Sequence, residues 1–312
     1  MKSPYTDINP NHKVFKLFPQ SLHDYLLLGR YDRPVGVLLV MLPCWWGVLF
    51  ANPFWSNILL ECLIYMMGAL FLRAAGCIIN DLWDIKIDQK VERTQNRPLA
   101  SGRISKNQAL VFFGLHMCVG GLIFLWLSPL AKIICGISIF LFIAYPLMKR
   151  FFPIPQLWLG ITFNIGLLIA WTNHYESIPF EIWILYLGSV FWTIGYDTIY
   201  TFQDLQDDLK IGVKSSAILF QKMPKLAVSF CYIAMLICFL FALYEMYFSY
   251  FAMVVMIAVF YHLYWQIENW QVKDKASCLS MFKSNITFGA FVFLVLLLNL
   301  SIETIWLHIY GV

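Results

Sequence analysis

Nine apolar stretches, at about 35–52, 57–79, 107–127, 131–148, 155–173, 180–200, 225–247, 248–265 and 285–307, fill most of this 312-residue chain. Each is about 17 to 25 residues long, which is what a helix needs to cross the hydrocarbon of a bilayer. A soluble domain is excluded by the same pattern. With 60% hydrophobic residues, 13% charged residues and a mean hydropathy of +0.69, too little charge remains to cover a water-exposed surface. The expected fold class is all-α: a polytopic membrane protein with nine transmembrane helices.

The distribution of Lys and Arg supports that count, because cytoplasmic loops should carry the excess. With a cytoplasmic N-terminus, nine spans put 1–34, 86–106, 149–150, 210–225 and 273–283 on the inner side. Of the 22 basic residues only Arg73, inside a span, and Lys132 then fall elsewhere. Residues 1–29 read as a polar cytoplasmic segment without the pattern of a cleaved signal peptide. Residues 30–312 read as a single membrane domain. The eight cysteines lie mostly in apolar runs and show no CxxC spacing, as expected of small buried hydrophobes. The net charge of +4 follows from the inner-loop bias and gives no reason to expect a nucleic-acid partner.

Against this background the acidic residues are placed unusually. Seven of the eleven aspartates lie in two segments at the inner ends of the second and sixth stretches, Asn80–Asp88 and Asp197–Asp208. Ionised groups at a membrane boundary are costly and need a chemical reason. On a helix Asn80, Asp84 and Asp88 recur every four residues and share one face. Asp197, Tyr200, Asp204 and Asp208 also fall on one helical stripe. The two motifs recur four helices apart, so the expected architecture is two four-helix sets plus a ninth helix around a central cavity.

Facing carboxylates need a counter-charge, and a hard divalent cation supplies it. Mg²⁺ typically takes one or two carboxylates and completes its shell with water and phosphate oxygens. Arg73, seven residues before Asn80, points into the same stripe, while Arg30, Arg33, Lys149 and Arg150 add cations on the same side. Cations beside a metal site predict a diphosphate ligand, and a diphosphate beside lipid predicts a lipid-linked one. Loss of diphosphate from an allylic carbon leaves a carbocation, which aromatic side chains can stabilise. The segment Glu92–Leu99 is either a plain connection or a cap over the site. Glu61, Glu176, Glu245 and Glu303 show no grouping and read as interfacial. A competing class is a transporter or proton relay, which places carboxylates near the bilayer midplane rather than at helix ends.

These segments resemble the UbiA superfamily of intramembrane prenyltransferases. The resemblance rests on Leu72–Asp81, the first aspartate motif, Arg93–Gly102, Tyr145–Arg150, Tyr196–Tyr200, Asp204, Asp207–Asp208 and Lys210–Ser215. Of these, Tyr196–Tyr200 and Lys210–Ser215 are similar to its 4-hydroxybenzoate branch. It implies a nine-helix fold and Mg²⁺-dependent transfer of a polyprenyl chain from polyprenyl diphosphate to 4-hydroxybenzoate, ortho to the hydroxyl, towards ubiquinone. It implies metal binding by Asn80, Asp84, Asp88, Asp204 and Asp208, with Asp84 and Asp204 central to catalysis. Asp197 would orient or deprotonate the phenol. Arg33, Arg73, Lys149 and Arg150 would share the diphosphate and the benzoate carboxylate, with Tyr200 at the substrate. The expected location is a bacterial inner membrane, with the site facing the cytoplasm. The same chemistry on a naphthoate, homogentisate or haem acceptor is the nearer alternative. One departure is Ile85, where the family often has Arg after the middle aspartate, with Lys86 one position on.

Overall fold

The computed structural model describes residue 8 and residues 12–51, 57–91, 94–246 and 249–310, without the side chains of 145–147, 149–150, 211 and 301–310. Among the described residues there are thirteen α-helices and no strand. In chain order they are α1 (Val14–Leu17), α2 (His23–Leu28), α3 (Val35–Ala51), α4 (Ile58–Asp88), α5 (Lys106–Trp126), α6 (Pro129–Phe151) and α7 (Pro155–Thr172). They continue as α8 (Phe180–Thr201), α9 (Leu205–Ile211), α10 (Ser216–Leu219), α11 (Pro224–Glu245), α12 (Tyr250–Asn269) and α13 (Lys275–Tyr310).

All nine apolar stretches fall on helices, as a bilayer requires of any segment that cannot give its backbone polar groups to water. Six of these helices are long and apolar enough to cross a membrane: α4, α5, α8, α11, α12 and α13 up to Leu300. The chain is thus a multi-pass membrane protein. Helix α3 and the Pro129–Ala144 part of α6 are shorter apolar segments. Helix α7 buries Gln156, Thr162, Asn164 and Thr172, which lowers its apolarity. Local chemistry sets many boundaries. Pro129, Pro155 and Pro224 open helices at the position that needs no backbone donor. Ser128 and Ser249 cap α6 and α12 by accepting from Ala131 N and Ala252 N.

The chain forms two compact units, Met1–Leu38 with Met66–Trp126, and Leu39–Tyr65 with Leu127–Val312. In the first, Leu28, Ile78, Leu99, Ile104 and Ala109 make a small core, flanked by Tyr25, Leu82, Ile85, Phe112 and Phe113. That core draws on α2, α4, α5 and the α4–α5 connection. The expected polar N-terminal segment is therefore structured over part of its length, since Leu26 and Leu28 of α2 are buried.

In the second unit α8 packs against α7, α11 and α13. Trp46, Trp192, Phe239 and Phe288 are fully buried at its centre, with Trp46 and Trp192 rings 5.1 Å apart. Gly195 lets α8 approach α11 so closely that a Cβ there would strike the Tyr232 ring.

Candidate active site

Helix α4 runs unbroken for 31 residues, so the four-residue spacing of the first motif becomes a real face. Asp84 and Asp88 are buried on it and Asn80 is half-buried. Asp81, one turn before Asp84 and Ile85, is also buried, at 1% exposure. Three buried carboxylates within eight residues demand compensation.

Two arginines provide it for Asp81 and Asp88. Arg30 grips Asp81 through one nitrogen, Nη2, at 2.6 and 2.8 Å from its two oxygens. Arg97 Nη1 donates to Asp81 at 3.1 Å and to Asp88 at 2.9 Å. Arg30 adopts a left-handed backbone, φ 61°, a strain of about 1 kcal/mol in a non-glycine residue that the ion pair offsets. Asp81 is thus a structural anchor, which spacing alone did not reveal. The available signal was that a third acid on a membrane helix needs a cation of its own.

Arg97 reaches the stripe because its segment is folded. Thr94, Arg97, Pro98 and Leu99 carbonyls accept from Arg97, Ser101, Ile104 and Gly102 N–H groups in successive turns. Leu99 and Ile104 pin those turns into the core, and Thr94 Oγ1 donates to the Asp88 carbonyl at 3.0 Å. The segment from Thr94 is therefore a packed structure against the aspartate helix. Glu92 and Arg93 lie outside the described residues.

Of the expected anion binders, Arg73 fits a space left by Gly36, where a Cβ would sit 2.7 Å from its Nε. Its Nη1 donates to Cys77 Sγ. Arg33, half-buried, donates from Nε to Asp32 at 3.2 Å. Between Arg30 and Arg33, the Tyr31 hydroxyl bonds His116 Nε2 at 2.7 Å, and His116 Nδ1 bonds the Phe112 carbonyl. A carbonyl can only accept, so Nδ1 carries the proton and Tyr31 donates to Nε2. Burial, with Cys77 adding to it, pushes the Tyr31 phenol up to about 12, so it remains a donor at neutral pH. Lys149 and Arg150 close helix α6, and their side chains lie outside the described residues.

The second motif departs from the expected single stripe. Helix α8 stops at Thr201, and Gln203 and Asp204 N–H groups bond Tyr200 and Thr201 carbonyls in tight turns. Asp204 then precedes α9 and Asp208 lies in its first turn. An unbroken helix through Asp208 is therefore incorrect: the aspartates at 204, 207 and 208 favour turns and helix starts. Asp197 and Tyr200 remain on α8, and the Tyr200 ring packs 4.6 Å from that of Phe282, an aromatic partner the sequence did not single out.

Side-chain bonds hold this turn region in place. Gln156 Oε1 accepts from Ser216 N at 3.0 Å, and Ser216 Oγ pairs with Thr198 Oγ1 at 2.8 Å. Gly212 ends α9 at φ +79°, and Lys214 Nζ donates to the Phe151 carbonyl. Elsewhere in this unit Glu61, in the first turn of α4, is grouped after all: it is buried and bonded to His174 Nε2 at 2.8 Å. A buried carboxylate needs a partner that sequence spacing could not identify.

The clusters suit a hard cation that keeps part of its shell for ligand. Among the described residues no three His, Cys, Asp or Glu side chains converge on a metal cage. Asn80, Asp84 and Asp88 instead offer oxygen donors along one face, the partial set that Mg²⁺ accepts when phosphate and water complete its octahedron. The carboxylates also sit at helix ends, in the last turns of α4 and after α8, rather than mid-helix.

The model of the UbiA prenyltransferase family matches residues 40–297. The chain is 39% identical over 225 residues to a 4-hydroxybenzoate octaprenyltransferase of Neisseria meningitidis serogroup C, covering 72% of this chain and 76% of that one. It is 38% identical over 287 residues to a mitochondrial 4-hydroxybenzoate polyprenyltransferase of Arabidopsis thaliana, covering 91% and 70%. Its fold matches a UbiA homologue from Archaeoglobus fulgidus solved with GPP and Mg²⁺, at TM-score 0.65 and 17% identity over 88% of this chain and 99% of that one.

Proposed function

Because the chain belongs to the UbiA prenyltransferase family, we propose that it transfers a polyprenyl group from polyprenyl diphosphate to the ring of 4-hydroxybenzoate, ortho to the hydroxyl, in ubiquinone biosynthesis. The observation that carries this reading is the buried face of α4, with Asp84 and Asp88 buried at a helix end and Arg97 bonded to Asp88. Such a face can hold a metal–diphosphate while an apolar tail stays among lipids.

In this reading Asn80, Asp84 and Asp88 in the first unit, and Asp204 and Asp208 in the second, bind Mg²⁺. Bound Mg²⁺ would neutralise the charge that develops on the departing diphosphate. Arg33, Arg73, Lys149 and Arg150 bind the anionic oxygens of diphosphate and benzoate. Asp197 orients the phenol or takes its proton, which raises electron density at the attacking ring carbon. Tyr200, supported by Phe282, offers an aromatic face to the allylic cation. The nine helices that carry the apolar stretches are then nine spans, with the N-terminus and both aspartate motifs cytoplasmic, in a bacterial inner membrane.

The test is conversion of radiolabelled 4-hydroxybenzoate to lipid-extractable product by membranes containing the protein and polyprenyl diphosphate. Product that requires Mg²⁺ and disappears with EDTA, Asp84→Ala or Asp204→Ala supports the reading. Folded wild-type protein that makes no product would overturn the acceptor assignment.

A further inference from the structure

Arg97 and Arg30 neutralise the same helix in different ways. Arg30 approaches both oxygens of Asp81. Arg97 divides one nitrogen between Asp81 and Asp88, at the longer distances of 3.1 and 2.9 Å. Its Nε is buried and has no acceptor, although the Arg97 side chain is only 10% exposed. A buried guanidinium has five N–H groups to satisfy, so this arrangement leaves donor capacity unused at the aspartate stripe.

We propose that Arg97 is the resident counter-ion of Asp88 in the metal-free protein and cedes that carboxylate to Mg²⁺ when the site loads, keeping Asp81 as its pivot. This rests on the reading of Asp88 as a metal ligand. Two observations make the exchange inexpensive. Asp81 already bonds Arg97, so losing Asp88 does not leave a buried charge alone. The Leu99 and Ile104 anchors hold the segment independently of Asp88, so Arg97 need not swing away. Arg97 is accordingly a positioning residue: it holds the Asp88 carboxylate in place before metal arrives, and competes with the metal for it.

Mg²⁺ binding to the full-length protein in nanodiscs would test this, read by thermal unfolding across a MgCl₂ titration with inorganic diphosphate present. Without a competitor, Arg97→Gln should bind Mg²⁺ at a concentration about threefold lower or more, although its unfolding midpoint in EDTA should fall. Unchanged or weaker Mg²⁺ binding by Arg97→Gln overturns the proposal. Asp88→Asn serves as a second variant should Arg97→Gln not fold. It leaves Arg97 on Asp81, so its midpoint in EDTA should stay within about 2 °C of wild type. A larger fall shows that Asp81 is no pivot and overturns the exchange. A wild-type protein that Mg²⁺ and diphosphate fail to stabilise refutes the metal reading itself, an outcome separate from either variant result.

Discussion

Neighbouring aspartates on one helix do different work because their partners differ. Asp81 is held by two arginines, whereas Asp84 lies on the face shared with Asn80 and Asp88. Asp81→Asn should therefore destabilise the protein by about 3–5 kcal/mol, the cost of leaving buried cations short of a partner. Asp84→Asn should cut product formation by at least about a hundredfold. Comparing both quantities in the two variants checks the division. Tyr31 gives a pH prediction. Its folded pKa of about 12 exceeds the ordinary value of 10.0, so the folded state holds the proton more tightly. The resulting stability is complete below about pH 10 and is lost as pH rises towards 12. The difference in unfolding midpoint between wild type and Tyr31→Phe should shrink over that interval and stay constant from pH 6 to 9.

At the scale of elements, the turn region after α8 depends on a few bonds to helices remote in sequence. Gln156→Leu would remove the acceptor of a buried Ser216 N–H and cost about 1–3 kcal/mol. Amide exchange should quicken across 205–219, and the apparent Mg²⁺ requirement should rise with it. Helices were legible in the sequence because membrane spans are long and apolar: α3, α7 and α8 begin and end within about two residues of their expected limits. The four-residue spacing of Asn80, Asp84 and Asp88 was equally legible. What escaped was tertiary. The break at Thr201 depends on turn chemistry within a seemingly periodic stripe, and the pairs Arg97–Asp88 and Glu61–His174 join residues 9 and 113 positions apart. Periodicity along one helix carries no information about which distant cation will neutralise it.

For the whole molecule, the length of α4 matters most. Its 31 residues extend about 46 Å, well beyond a hydrocarbon layer of about 30 Å. The terminal turns bearing Asp84 and Asp88 can therefore stand at headgroup depth while the rest of the helix stays among acyl chains. A lipid diphosphate diffusing in the leaflet can reach them without its tail leaving the oil. Its effective concentration is then a mole fraction in the surface, not a molarity in the buffer. Adding inert lipid or detergent at constant amounts of protein and substrate should slow turnover by surface dilution, whereas diluting the whole suspension with buffer should not.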